Sequence, residues 1–267
     1  MSGSKAPSSS VGSVVNVKDM PLEDLVAESE RVITAAQATN VPIRLTGGLA
    51  IRRRHHSATL PPLARTYADI DLATTSKSGH KAITQLMESL GYVGDQMFNS
   101  LHGNERLYYQ DPQRDRHVDV FVDAVRMCHV INFKQRLTLL DDTLTVSDLL
   151  LTKLQIVEIN RKDMLDIMAV LHDQTVKSGA HDALDAGYLE EIWGYDWPIW
   201  RTSQGTLAKA RQIAPTLLDA DDTAQVMKNV DALEEILRTG KKTLRWRVRA
   251  RVGERVRWYD LPEEVDQ

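Results

Sequence analysis

Apolar residues first recur at helical spacing near the start of the chain. Leu22, Leu25, Val26 and Ile33 fall on one stripe, which predicts an amphipathic helix over roughly 20–38, with Pro21 in its first turn and Asn40 as its stop. "VPIRLTGG" then reads as a short strand ending in two glycines, followed by a short helix start and a Pro-containing loop through "LAIRRRHHSATLPPLARTY". That loop feeds a strand carrying "ADIDL", and 78–90 reads as an amphipathic helix closed by Gly91. Three strand-like runs come next, "YVGDQMF", "ERLYYQD" and "HVDVFVD", the last two joined by the turn-forming "DPQRD". "RLTLLDDTLTV" predicts a further extended stretch. "SDLLLTKLQIVEINRKDMLDIMAVLHDQ" predicts two consecutive helices, capped at Ser147 or Asp148 and broken near Asn160. From 182 onward the pattern is helical up to a basic end at 241–258, and no internal repeat is visible.

This order predicts an α+β protein: a mixed β-sheet flanked by helices, followed by an all-helical C-terminal half. The expected divisions are a tail at 1–18, a mixed α/β domain at 19–146 and a helical domain with a basic end at 147–267. The tail, rich in Ser and Gly and without periodicity, reads as disordered, and it lacks the apolar core of a signal peptide.

Composition narrows the classes. A formal net charge of −4 gives no global case for binding a polyanion, so any basic site must be local. One cysteine, Cys128, rules out an internal disulfide and a cysteine-based zinc cage, and fits a reducing cytoplasm. No apolar run approaches the roughly 20 residues that span a bilayer, so no membrane association is expected.

The chemistry-bearing residues lie on the predicted strands. In a strand, Asp69 and Asp71 point to one side while Ile70 and Leu72 point to the other. Two carboxylates side by side repel and raise one another's pKa, so the pair implies a cation or a solvated edge. In "HVDVFVD", His117, Asp119, Phe121 and Asp123 share one face and Val118, Val120 and Val122 the other, the pattern of a half-buried strand. If these strands are neighbours, Asp69, Asp71 and Asp119 can meet at one point. Three hard oxygen ligands suit Mg²⁺, and a pair of such ions can hold both oxygens of an in-line phosphoryl displacement. Gly47-Gly48, at a strand end entering a helix, would let backbone approach a phosphate. Charged residues on a solvated sheet face would explain each strand separately, but not the Gly-Gly turn ahead of them.

A Gly-Gly turn, then Asp-X-Asp on one strand and a later Asp on another, resembles the pattern of the nucleotidyltransferase superfamily. "LTGGLAIRRRH…ARTYADIDL" is most similar to the branch containing the AbiEii-type toxins of toxin–antitoxin systems, in which an Arg precedes the Asp-X-Asp as Arg65 does here. A second patch, "LLLTKLQIVEINRKDMLDI", places Lys153, Asp163 and Asp166 where that branch has a Lys-Leu pair and a basic-Asp-X-X-Asp segment. The resemblance covers roughly 40–172. It implies a nucleotidyltransferase-like fold and transfer of a nucleoside monophosphate from ATP or another NTP to an acceptor hydroxyl on RNA, tRNA, a protein or a small molecule. By the same resemblance Gly47 and Gly48 would cradle the triphosphate, with Arg65 part of the site and Lys153 neutralising phosphate charge. Asp69 and Asp71 would bind metal, and Asp119 would be a metal ligand or the base. Asp163 is a site residue or the surface partner of Arg161 or Lys162. Asp123, the rival of Asp119, is expected to end its strand. An antitoxin partner is also implied, and the alternative is a nucleotide- or RNA-binding module without turnover.

Two basic clusters remain. Arg52, Arg53, Arg54, His55 and His56 could contact triphosphate or nucleic acid, or form a solvated face. The end of the chain sets nine Lys/Arg between Arg238 and Arg257, among Trp246 and Trp258. Its alternation fits a strand, and its spacing of Leu244, Val248, Val252 and Val256 fits a helix equally. It could bind RNA, or pair with acidic parts of its own chain such as 219–222 or the terminal "EEVDQ". Trp193, Trp197 and Trp200 are expected to be packing anchors.

Overall fold

A computed structural model describes residues 20–261, so the predicted tail at 1–18 and the terminal "EEVDQ" lie outside the described residues. The first helix, α1 (Leu25–Ala38), starts later than its apolar spacing predicts. The Asp24 side chain caps it by accepting from the Ala27 N–H at 2.7 Å, which leaves Pro21 ahead of the helix rather than in its first turn. Asn40, at φ +55°, ends the turn that follows. Next come β1 (Arg44–Leu45), α2 (Gly47–Arg54), β2 (Ile70–Thr74) and α3 (His80–Ser89).

Of "YVGDQMF" only β3 (Val93–Gly94) is a strand. Asp95 accepts from the Phe98 N–H at 2.8 Å and caps a helix, α4 (Gln96–His102), so local capping overrides the extended pattern. β4 (Arg106–Gln110) and β5 (His117–Val122) then form the expected antiparallel pair, and β6 (Ala124–Arg126) and β7 (Val130–Asn132) form a small separate hairpin. The main sheet has the order β1-β2-β5-β4-β3, and only β2 and β5 run parallel. It is therefore a mixed sheet, as predicted. One face carries Ile70, Leu72, Leu107, Tyr109, Val118 and Val120, all buried with α1 and α3 in one core. The other face carries Asp71, Arg106, Tyr108, His117, Asp119 and Phe121.

The expected extended stretch at 136–146 forms no strand. It makes a single bridge, Leu45 to Thr143, and its Asp142 instead accepts from Arg53 (2.9 Å) and Arg54 (2.7 Å). Asp123 does end its strand: it sits at φ +64° and takes hydrogen bonds from the Ser76 N–H and Lys134 Nζ.

The helical half begins with α5 (Val146–Leu154), capped by Thr145 rather than by Ser147 or Asp148. Asp148 is buried instead, accepting from Arg136, Thr145 and the Tyr188 hydroxyl. Asn160 caps α6 (Arg161–Asp173) through the Asp163 N–H, so the predicted helix break falls where the sequence placed it. A short parallel pair, β8 (Val176–Lys177) with β9 (Leu184–Asp185), interrupts the expected helical run before α7 (Ala186–Tyr195). The chain continues through α8 (Trp197–Leu217), α9 (Ala220–Thr239) and α10 (Leu244–Val252), so the basic end is helical. Trp193 is fully buried and donates to Ser203, and Trp200 donates to the Leu237 carbonyl, which makes both packing anchors. One core runs through both halves, from the sheet to α9. Among the described residues no helix is long and apolar enough to cross a membrane.

The segment ahead of α1 is tied to the β4–β5 turn by one buried clamp. Asp111 accepts from Arg116 Nε at 2.7 Å and from the Gln113 N–H, and Arg114 and Arg116 donate onward to the carbonyls of Pro21, Leu22 and Glu23. Burial opposes the Asp111 charge, but these donors outweigh it and hold the carboxyl below its ordinary range. A depressed carboxyl stabilises the fold above its unfolded pKa and loses that contribution as pH falls through the folded one. Asp111→Asn is therefore expected to cost about 1–3 kcal/mol at pH 7 in urea titrations, with the gap to wild type closing in strong acid.

Candidate active site

Gly47 opens α2 at φ +63°, a conformation that disfavours any side chain. Space is equally restrictive: a Cβ there would lie 2.0 Å from Asp71 Oδ2, and a Cβ on Gly48 would lie 1.9 Å from Arg65 Nη2. The Thr46 N–H donates to the Asp71 carbonyl at 2.9 Å, which fastens the turn to β2. The two glycines thus let a helix N-terminus close onto one carboxylate and one guanidinium.

Asp69 lies immediately before β2, and Asp71 within it directly opposite Asp119 in the parallel register. The structure therefore brings the three predicted carboxylates together across neighbouring strands. Asp71 is half-buried and has no hydrogen bond or ion pair to any described side chain. Desolvation, and then the charge of Asp119, push its pKa up to about 6, with Lys153 pulling the other way. Asp69 is more open and is also raised, chiefly by desolvation.

Asp119 is buried but saturated. Arg106 Nε donates to it at 2.6 Å, and His117 Nε2 lies 3.3 Å away. Burial alone would raise its pKa; the hydrogen bonds from His117 and Arg106 outweigh that and bring it below the ordinary carboxylate range. His117 Nδ1 reaches Asp69 at 3.1 Å, so one imidazole spans two of the carboxylates, and its bond to Asp119 raises its own pKa. The imidazole stacks on Tyr108, with centroids 5.0 Å apart, and Tyr108 in turn meets Phe98 of α4.

Behind the turn lies a second cluster. Arg65 grips Asp166 with two bonds of 2.7 and 2.8 Å, and Lys153 contacts Asp163 at 2.6 Å and Asp166 at 2.9 Å. Burial lowers the Lys153 pKa, but the two carboxylates outweigh it and raise it. The two predicted phosphate-binding cations are thus held against carboxylates beside Gly48. Asp163 takes Lys153, not Arg161 or Lys162. The Arg52–His56 cluster does not act as one patch: Arg53 and Arg54 pair with Asp142, and His55 is buried against the Ile51 carbonyl. Arg52 and His56 alone of the five have no side-chain hydrogen bond or ion pair among the described residues, and Arg52 acts electrostatically on Tyr67.

Arg106 and the bridging role of His117 were not foreseen. The signal for Arg106 was the length of the "DPQRD" turn, which sets Tyr108 opposite Asp119 and places Arg106 on the same face.

Among the described residues no group of three or more His, Cys, Asp or Glu side chains is placed to hold a metal ion, and Asp119 is engaged by His117 and Arg106. The carboxylate oxygens of Asp69, Asp71 and Asp119 are nevertheless the donor chemistry that a hard cation takes. Three carboxylates converge, and one of them, Asp71, is unpartnered against a glycine turn. Comparison with protein-family models found no match, and comparison with curated proteins found none.

A carboxyl whose folded pKa lies above its unfolded value makes the fold less stable as pH rises through the interval between them, here roughly 4 to 6. Asp71→Asn removes that cost without changing shape. It is expected to raise stability above pH 7 by up to about 3 kcal/mol, since each pKa unit corresponds to about 1.4 kcal/mol, with the difference vanishing near pH 4 in thermal melts.

Proposed function

We propose that this chain is a magnesium-dependent nucleotidyltransferase, moving a nucleoside monophosphate from an NTP to an acceptor hydroxyl with release of pyrophosphate. The observation that carries this reading is the unpartnered Asp71 carboxylate, packed against the positive-φ Gly47 and flanked by Asp69 and Asp119. A protein gains no stability from such an arrangement, so its use is in binding. Magnesium bound there would offset the clustered negative charge and polarise the phosphoryl oxygens.

Asp71, whose carboxylate has no hydrogen bond or ion pair among the described residues, and Asp69, held only by His117, are the residues that would bind it. Asp119 is the third carboxylate, and its lowered pKa suits a ligand that stays charged better than a general base, which works best near the operating pH. The backbone of Gly47 and Gly48 would cradle the triphosphate, with Arg65 and Lys153 supplying fixed positive charge beside it. Asp166 positions both cations. Catalysis then rests on alignment and charge neutralisation. The sequence likeness to toxin nucleotidyltransferases extends the reading to a growth-arresting activity.

One observation favours a second reading. Asp119 is already neutralised by Arg106 and His117, as in a site that binds nucleotide without turning it over. The two readings separate on incubation with Mg²⁺ and each labelled NTP. Wild type is expected to transfer label and release pyrophosphate, and an Asp69→Ala/Asp71→Ala variant to lose at least about 100-fold of that rate. Metal-independent nucleotide binding with no transfer to RNA, protein or the chain itself would overturn the enzyme reading. Independently of activity, Mg²⁺ is expected to raise the melting temperature of wild type and not of the double variant. Expression of wild type is expected to arrest growth, and the double variant to relieve it.

A further inference from the structure

α10 has two faces of different fate. Trp246 and Ala250 turn toward the body, and the Trp246 ring meets Trp200 edge-on with centroids 5.1 Å apart. Leu244, Val248 and Val252 form a stripe spaced by four on another side, and they are left in solvent at 77%, 54% and 39% exposure. On the helix that stripe is bordered by Arg247 and Arg251 along one edge and by Arg245 and Arg249 along the other. Together with the α7–α8 corner (Tyr195, Trp197 and Pro198), the stripe lines an open groove of about 730 Å³, distinct from the carboxylate site.

Charge singles out this region. Residues 241–257 carry eight Lys/Arg against one Glu, whereas the other 250 residues carry 25 Lys/Arg against 36 Asp/Glu. Glu190 meets the Lys241 N–H and Lys242, and Asp196 lies in the groove, but Arg247 and Arg251 have no acidic partner among the described residues, so part of this charge has its complement elsewhere. Two details identify that complement. The aromatic rings here are already engaged: Arg249 covers Trp197 (4.6 Å), Arg245 covers Tyr195 (5.0 Å), and Trp197 meets Trp258 (6.2 Å). Of these rings only Tyr195, at 51% exposure, leaves much surface on which a base could stack. What the groove offers is aliphatic, a surface suited to leucine- or valine-like anchors. A second copy of α10 would set arginines against arginines.

We propose that the groove between α10 and the α7–α8 corner binds an acidic amphipathic helix of a partner protein. Its apolar residues at i, i+4 and i+8 pack along Leu244, Val248 and Val252. Its carboxylates meet the two arginine edges, and Arg247 and Arg251, which have no partners among the described residues, are the first to be paired. The nine residues of α10 match about two and a half turns of such a helix.

The probe is a fluorescein-labelled synthetic helix of about 15 residues, long enough for four turns, with leucines at i, i+4 and i+8 flanked by glutamates. It is expected to bind the full chain with micromolar affinity by fluorescence anisotropy, more weakly as salt is raised. Val248→Asp, an exposed position whose replacement leaves the fold and the nucleotidyl-transfer rate unchanged, is expected to weaken binding at least about tenfold. Asp69→Ala/Asp71→Ala is expected to bind like wild type, which separates this proposal from the enzyme reading. Several results overturn it. They are no binding by the probe, or equal binding by a control with serines for leucines. Oligouridylate or oligoadenylate binding more tightly than the probe, unaffected by Val248→Asp, assigns the surface to nucleic acid. Dimerisation in sedimentation that Val248→Asp abolishes assigns it to a second copy. Marked tightening when Glu263, Glu264 and Asp266 become amides assigns it to the chain's own last residues.

Discussion

The parallel pairing of β2 with β5, in the register that sets Asp71 opposite Asp119, is the constraint on which the rest of the site depends. A shift of one residue would turn Ile70 and Val118 toward the open face and bury the carboxylates with α1 and α3. The apolar face forbids that shift, because Ile70, Leu72, Val118 and Val120 are all essentially inaccessible in the core. Hydrophobic burial therefore holds mutually repelling carboxylates together. The protein neutralises only part of what it gathers: Arg106 and His117 serve Asp119 and Asp69, and Asp71 is left alone.

Gly47-Gly48 joins that cluster to a second one. Gly47 abuts Asp71 and Gly48 abuts Arg65, so the turn is the wall between an under-compensated acidic group and a compensated basic one. Asp166 is the hinge of the basic side. It is buried, it binds Arg65 in fork geometry, and it shares Lys153 with Asp163. Removing one partner of such a buried network leaves a charge uncompensated, which is why the helical half cannot be treated as an appendage to the sheet. α5 and α6 bring Lys153, Asp163 and Asp166 to the turn, and the continuous core fixes them there.

Much of this was legible in the sequence, and the misses have physical causes. The Val118-Val120-Val122 alternation announced β5 because one face is fully buried, and the break at Asn160 was readable because a capping side chain acts locally. "YVGDQMF" and 136–146 were misread because their apolar residues imitate strands, while Asp95 and Asp142 direct their backbones elsewhere. The basic end left strand and helix open because apolar and charged residues occur at both periods. The Thr243 cap, which accepts from the Trp246 N–H, and the docking of Trp246 on Trp200 select the helix. The engagement of Arg65 and Lys153 with Asp166 lies beyond any local pattern, since it joins residues about 100 and 13 positions apart.

The two unusual regions of the molecule can be compared on one physical scale. Around Asp71 the fold holds like charges together and leaves one without a partner. On α10 it holds apolar side chains in water between rows of arginine. Neither arrangement is favourable for an isolated chain, and each could be removed by a single isosteric or polar substitution without disturbing the core. At Asp111, Asp148 and Asp166, by contrast, the protein satisfies buried charges closely. The contrast rules out general looseness as the explanation of either region. It directs attention to what each surface would bind: a hard cation with phosphate at the first, and an acidic helix at the second.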